Sequence, residues 1–222
     1  MKNFVLILFM VLALCLSGMS PQSCVKVSAQ GEDTSMGFED LEGFEWAEEA
    51  INYICLRTQI LPGPSITTKE FMPGEGLSRV NFVVALIRIG ITPFDEYAEC
   101  DFNDVTVNDW FYKYLGMAQK AKIIQGDGNN CFNPNDNISR QDAAVIIANV
   151  LRNREVKTTG KLETTFKDSD DIGSYAIDSV KLLESLKIVN GCDGFFEPNR
   201  FINRAESCVI IYTTIKYISV IE

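Results

Sequence analysis

Three arginines offer the clearest chemistry in this chain. Arg79, Arg140 and Arg204 each stand six residues after the proline of an F-x-P triplet: Phe71-Met72-Pro73, Phe132-Asn133-Pro134 and Phe196-Glu197-Pro198. Each directly follows a residue type that caps helices: Ser78, Ser139 and Asn203. A helix start presents unpaired N–H groups and a partial positive charge. An arginine at the first helical position, with its side chain pointing outward, adds a planar fork that matches a carboxylate. The pattern therefore predicts small anion sites. Trp46 and Trp110 have flat apolar faces that suit a sugar ring or the core, and the sequence leaves both uses open.

Other chemistries are excluded or unsupported. The 222 residues include 30 Asp+Glu, 20 Lys+Arg and no His, for a net charge of −10. Without histidine there is no Ser-His-Asp system, no imidazole-ligated zinc and no histidine general base. The acidic balance argues against nucleic-acid binding. Asp127-Gly128-Asn129-Asn130 starts like a calcium loop, but Ile138 occupies the position where a bidentate acid belongs. No unrepeated pair of acids suggests a glycosidase. We therefore expect no enzyme, no metal and no cofactor.

The arginines belong to a repeat of about 64 residues. Phe38-Glu39-Asp40 recurs as Phe102-Asn103-Asp104 and as Phe166-Lys167-Asp168, with 64 positions between successive copies. Eight residues after each Phe stand Trp46, Trp110 and Ser174, so the tryptophan is lost from the third copy. Asp40, Asp104 and Asp168 read as turn or cap residues. Each copy reads as helix, loop, helix. The first helices are expected near Trp46–Leu56, Trp110–Ala121 and Tyr175–Leu186. The loops contain Gly126 and Gly191, residues that set turns. Asp142 and Glu206, three residues after their caps, can reach back to complete a capping box. The segments after the caps, such as Phe82–Ile87, Ala143–Ala148 and Cys208–Tyr212, are apolar nearly all round and so belong to buried helices. No single repeat can bury such a helix. Three can bury one another, giving a mostly α fold of three helix-loop-helix repeats around a central three-helix bundle.

The amino terminus reads as an export signal. Lys2 precedes an apolar run from Phe4 to Leu16, too short for a membrane span. Val27-Ser28-Ala29 places cleavage after residue 29. That leaves 193 residues and removes two lysines but no acid, so the charge becomes −12. The organisation is then signal 1–29, linker 30–37 and repeats at 38–92, 102–153 and 166–218, with no room for a cargo domain and no later membrane span. Of the remaining cysteines, Cys55 and Cys208 read as core residues, Cys100 is unassigned, and Cys131 and Cys192 lie in loops where they could pair or react.

Together, F-x-D, Trp, the Gly-Asp-Gly-type loop, F-x-P and the cap resemble the S-layer homology (SLH) repeat. Asn203-Arg204-Ala205-Glu206 is one residue from the T-R-A-E signature. Ser139-Arg140-Gln141-Asp142 keeps its chemistry, while Ser78-Arg79-Val80-Asn81 loses the acid. The resemblance covers about residues 38–218. It implies a pseudo-threefold helical prism whose inter-repeat grooves bind secondary cell-wall polysaccharide, typically bearing a pyruvate ketal. It implies a secreted, cell-surface protein attached to the wall. It also implies ligand contacts at Arg79, Arg140 and Arg204, with Trp46, Trp110, Gly126 and Gly191 nearby; the groove with Ser174 in place of tryptophan is the weakest candidate. The alternative is an interaction module of the same fold that has lost glycan binding.

Overall fold

A computed structural model describes residues 37–58, 69–91, 98–156 and 162–221, all within one compact unit, Ser35–Glu222. The expected signal 1–29 lies outside the described residues, as do linker residues 30–36 and parts of both connectors, 92–97 and 157–161. Six helices are described: α1 (Glu48–Thr58), α2 (Arg79–Arg88), α3 (Tyr112–Lys120), α4 (Arg140–Asn153), α5 (Ile177–Ser185) and α6 (Arg204–Ile221). No strand occurs among the described residues, only isolated bridges. None of these helices is long and apolar enough to cross a membrane.

The first helices begin later than expected. Trp46 lies in a 3-10 turn, Glu45–Ala47, and Trp110 and Tyr175 each stand two residues before their helix. Phe111 and Ala176 at the N-caps supply no side-chain cap bond, so nothing extends the helix back to the aromatic residue. The second helices start where the caps predict. Ser78 and Ser139 accept the N–H of Asn81 and Asp142, and Asn203 Oδ1 accepts that of Glu206. Glu206 completes a capping box by accepting the Asn203 N–H at 3.0 Å. Asp142 does not take the reaching role. It has one methylene fewer, and its carboxylate is engaged by Arg79 and Tyr175.

Within each repeat, the two motif phenylalanines meet. Ring centroids lie 5.4 Å apart for Phe38–Phe71, 5.3 Å for Phe102–Phe132 and 5.4 Å for Phe166–Phe196. The F-x-D aspartates are long-range clamps rather than local turn residues. Asp40 accepts the N–H groups of Phe71 and Met72, Asp104 those of Phe132 and Asn133, and Asp168 those of Phe196 and Glu197, all within 2.6–2.8 Å. The clamp holds a costly backbone. Met72, Asn133 and Glu197 have φ of 58°, 55° and 56°, a left-handed conformation costing a side-chain-bearing residue roughly 1–2 kcal/mol.

Between repeats the fold closes into a cycle. Leu77, Ile138 and Ile202, all fully buried, exchange backbone bonds in a triangle: Leu77 N–H to Ile202 O, Ile202 N–H to Ile138 O, and Ile138 N–H to Leu77 O. The second helices α2, α4 and α6 all start from this triangle. Each also packs closely on the first helix of the following repeat: α2 on α3, α4 on α5, and α6 on α1. The core therefore belongs to all three repeats at once. α2 is buried almost all round, as its composition predicts. α4 and α6 leave Val145, Val209 and Ile210 part-exposed, because those positions face clefts between repeats.

Asp104→Ala should lower stability by about 2–3 kcal/mol, since it strands two N–H groups and releases a left-handed residue. A denaturation midpoint equal to wild type would show the clamp to be redundant. Acid should act on the same feature. Burial alone would raise the Asp168 carboxyl, but the N–H groups of Phe196 and Glu197 and the nearby Arg140 outweigh it and hold the group below its ordinary 3.8. Glu206 is likewise held below 4.5, with burial outweighed by Arg200, the Asn203 N–H and Arg140. Both stabilise the fold fully above these ordinary values, and the contribution is lost as pH falls below them toward the depressed folded values. Denaturant midpoints that stay level from about pH 5 to about pH 3 would contradict this.

Candidate functional site

The three signature arginines do not point outward. Arg79 Nε donates to Phe132 O, Arg140 Nε to Phe196 O and Arg204 Nε to Phe71 O, at 2.9, 2.6 and 2.8 Å. Each guanidinium also lies over the ring of the same phenylalanine, 4.5–5.1 Å from its centroid. Every arginine thus latches its own repeat to the F-x-P turn of the next, and the third latches back to the first. The first two N–H groups of each second helix are engaged too. Arg79 and Val80 donate to Asp136 O and Pro134 O, Arg140 and Gln141 to Arg200 O and Pro198 O, and Arg204 and Ala205 to Glu75 O and Pro73 O. The expected anion site built on free helix-start N–H groups is therefore ruled out: the neighbouring repeat already fills it.

Arg79 and Arg140 also line clefts. The larger cleft, about 1120 Å³, brings together Arg79 of the first repeat, Ile123–Gln125, Gly126 and the Asp142–Ile146 face of α4 from the second, and Tyr175 of the third. A smaller one, about 210 Å³, is its rotated copy: Arg140, then Ile188–Asn190 and the Glu206–Ile210 face of α6, then Trp46. Each cleft draws one part from each repeat. The loop counterpart in the first repeat falls at 59–68, outside the described residues. Trp46 and Trp110 are 54% and 58% exposed, which removes them from the core. Trp110 stands edge-on to Phe111 and Tyr114.

Tyr175, 59% exposed, takes the place assigned in the sequence to Ser174. It stands two residues before α5, as Trp46 and Trp110 do before α1 and α3. The third repeat has one more residue between its motif phenylalanine and its first helix, so a fixed offset of eight lands one short. The helical pattern Ala176, Val180, Leu183, matching Phe111, Leu115, Ala118, was the available signal. The groove with Ser174 in place of tryptophan thus has an aromatic, Tyr175.

Charges in the clefts are largely paired. Arg79 Nη1 meets Asp142 Oδ2 at 2.9 Å, and Tyr175 donates its hydroxyl to Asp142 Oδ1 at 2.8 Å. Arg140 Nη1 lies 3.5 Å from Glu206 and Nη2 donates to Asn190 O. Burial lowers the pKa of Arg140 and of Arg204, though neither loses its charge at neutral pH. Gly126 lines the larger cleft, where a Cβ would crowd the Asn130 backbone at 3.0 Å. Gly191 faces structure rather than a cleft, since a Cβ there would meet Phe195 O at 2.5 Å and the Phe166 ring at 2.6 Å. Neither glycine has a left-handed φ, so what counts is the missing side chain rather than turn freedom. Asp127 accepts the N–H groups of Asn129 and Cys131 and so orders its own loop. Cys55 and Cys208 are buried core residues as expected, and Cys131 and Cys192 are not joined to each other.

The SLH (S-layer homology domain) family profile matches residues 101–144 and 165–206. The chain is 33% identical over 179 residues to S-layer protein EA1 of Bacillus anthracis, covering 81% of this chain and 20% of that protein. It is 33% identical over 180 residues to an amylopullulanase of Thermoanaerobacterium thermosulfurigenes, covering 79% and 9%, and 31% identical over 183 residues to exoglucanase XynX of Acetivibrio thermocellus, covering 80% and 16%. The chain thus spans a fifth or less of these curated relatives. Matching profile, matching relatives and a cyclic repeat geometry agree: this chain belongs to the S-layer homology domain family.

Proposed function

We propose that this chain attaches non-covalently to the bacterial cell wall by holding secondary cell-wall polysaccharide in its inter-repeat clefts, with no catalytic step. The observation behind this reading is the recurrence of one cleft design: an arginine, a loop, an apolar helix face and an exposed aromatic, drawn from three different repeats. An exposed ring beside an apolar helix face suits a sugar, whose C–H face is apolar and whose rim is polar. The relatives support the same reading. They are called S-layer protein, amylopullulanase and exoglucanase, yet share this stretch, which fits a common attachment part better than a common reaction. A signal at 1–29 ahead of repeats at 38–92, 102–153 and 166–218 fits a protein held outside the cell, on the wall. A pyruvate ketal on the polymer would supply the acid that an arginine-bearing cleft recognises.

A second reading has its own observation. Arg79 and Arg140 already pair with Asp142 and Glu206, so their charge alone does not demand a ligand. On that reading the fold is an interaction module without glycan affinity.

Co-sedimentation with cell-wall sacculi, before and after chemical removal of the polysaccharide, separates the two. Pelleting should require the polysaccharide. Tyr175→Ala should weaken it about fivefold to tenfold while helicity and denaturation midpoint stay at wild-type values, because the ring is exposed. Pelleting that ignores the polysaccharide, or no pelleting, defeats the attachment reading.

A further inference from the structure

We infer that Asn190 is a self-modification site: its side-chain amide is lost by ring closure on the Gly191 nitrogen, which leaves a carboxylate in the smaller cleft. Asn190-Gly191 is the one Asn-Gly pair in the sequence. It stands in the loop of the third repeat, outside any helix, and both residues are exposed. Among the described residues, neither the Asn190 side-chain amide nor the Gly191 N–H has a hydrogen-bond partner.

The fold itself creates this pair. A Cβ at position 191 would meet Phe195 O at 2.5 Å and the Phe166 ring at 2.6 Å, so glycine is required there. A glycine nitrogen is also the least shielded, because no side chain flanks it. The residue before it lines the smaller cleft beside Arg140 and Glu206. Arg140 Nη2 donates to Asn190 O at 3.3 Å. That oxygen belongs to the same peptide group as the Gly191 nitrogen. A guanidinium on it stabilises the negative charge the group acquires when its N–H is removed. The cation thus favours the form of the nitrogen that attacks.

The reaction needs only hydroxide and water. Hydroxide takes the Gly191 proton, the nitrogen bonds to Asn190 Cγ, and ammonia departs, leaving a five-membered imide. Water opens the imide at either carbonyl and yields aspartate or isoaspartate. Nothing is oxidised or reduced.

The second repeat provides an internal control. Gln125-Gly126 holds the same place in its loop and lines the larger cleft. The glutamine is one methylene longer, so closure would form a six-membered ring, a far slower step. Among the described residues, Arg79 makes no bond to Gln125. The smaller cleft therefore gains a charge with age and the larger one does not. On the attachment reading above, a carboxylate beside Arg140 weakens the hold of the smaller cleft on an acidic polymer.

The test incubates the full folded chain from neutral to mildly alkaline pH and follows its proteolytic peptides by mass. Oxygen-labelled water marks the hydrolysis, and enzymatic methylation counts isoaspartate. The peptide holding Asn190 should exchange NH2 for OH faster than every other asparagine peptide. Its rate should rise about tenfold per pH unit, as the ionised fraction of a weak acid does far below its pKa. Asn190→Gln should abolish the isoaspartate signal. Gln125→Asn should create a second site that reacts more slowly than Asn190, having no guanidinium on its carbonyl. If Asn190 loses its amide only in urea, or no faster than the exposed Asn108, the inference falls. If the Gln125→Asn site reacts as fast as Asn190, the assistance by Arg140 falls. Asn190→Asp should bind sacculi about threefold more weakly than fresh wild type at the same denaturation midpoint. Equal binding by the two overturns the effect on attachment. No binding by fresh wild type overturns the attachment reading, while the mass measurement still decides the chemistry.

Discussion

Each second helix in this chain begins in the interior, where its first backbone N–H groups have no water to bond. A buried, unpaired N–H costs about 1–3 kcal/mol, and three helix starts would make the fold untenable. The third N–H of each is met by a serine or asparagine of the same repeat. The first two are met only by carbonyls of the next repeat, around the F-x-P turn. The turn must therefore present its carbonyls at a fixed angle. That explains why its middle residue is held left-handed, why an aspartate some 30 residues away clamps it, and why an arginine lies across its phenylalanine. The motif residues are parts of one solution to one problem of unsatisfied hydrogen bonds.

The same arrangement creates the clefts. Because each helix start is docked into the following repeat, the arginine, the helix face and the aromatic that meet at one cleft come from three repeats. The candidate clefts thus sit at the joints of the molecule rather than on any one unit. Arg79 and Arg140 work at both levels: Nε fastens the joint, and the side chain lines a cleft. Their pairing with Asp142 and Glu206 lowers the electrostatic cost of a buried cation.

Much of this was legible in the sequence, and the division follows interaction range. The 64-residue period, the caps at Ser78, Ser139 and Asn203, the apolar second helices and the burial of Cys55 and Cys208 all follow from local pattern. The Asp104 clamp, linking positions 28 and 29 residues apart, left only a shared spacing that turn chemistry explained equally well. The inward aim of Arg79, Arg140 and Arg204 was misread because a first-turn side chain is outward for an isolated helix and inward only when another repeat covers it. Tyr175 was missed for a plainer reason: one inserted residue moved it off a fixed offset.

The closing latch, from Arg204 to Phe71, spans 133 residues. A chain that emerges from its amino terminus therefore offers the first F-x-P turn long before its partner exists. Until the last repeat appears, one turn lacks its arginine and one helix start lacks its carbonyls, so a partial chain has no complete stopping point. Contacts this distant in sequence slow folding and make it all-or-none. The ring cannot lock until the last repeat is present.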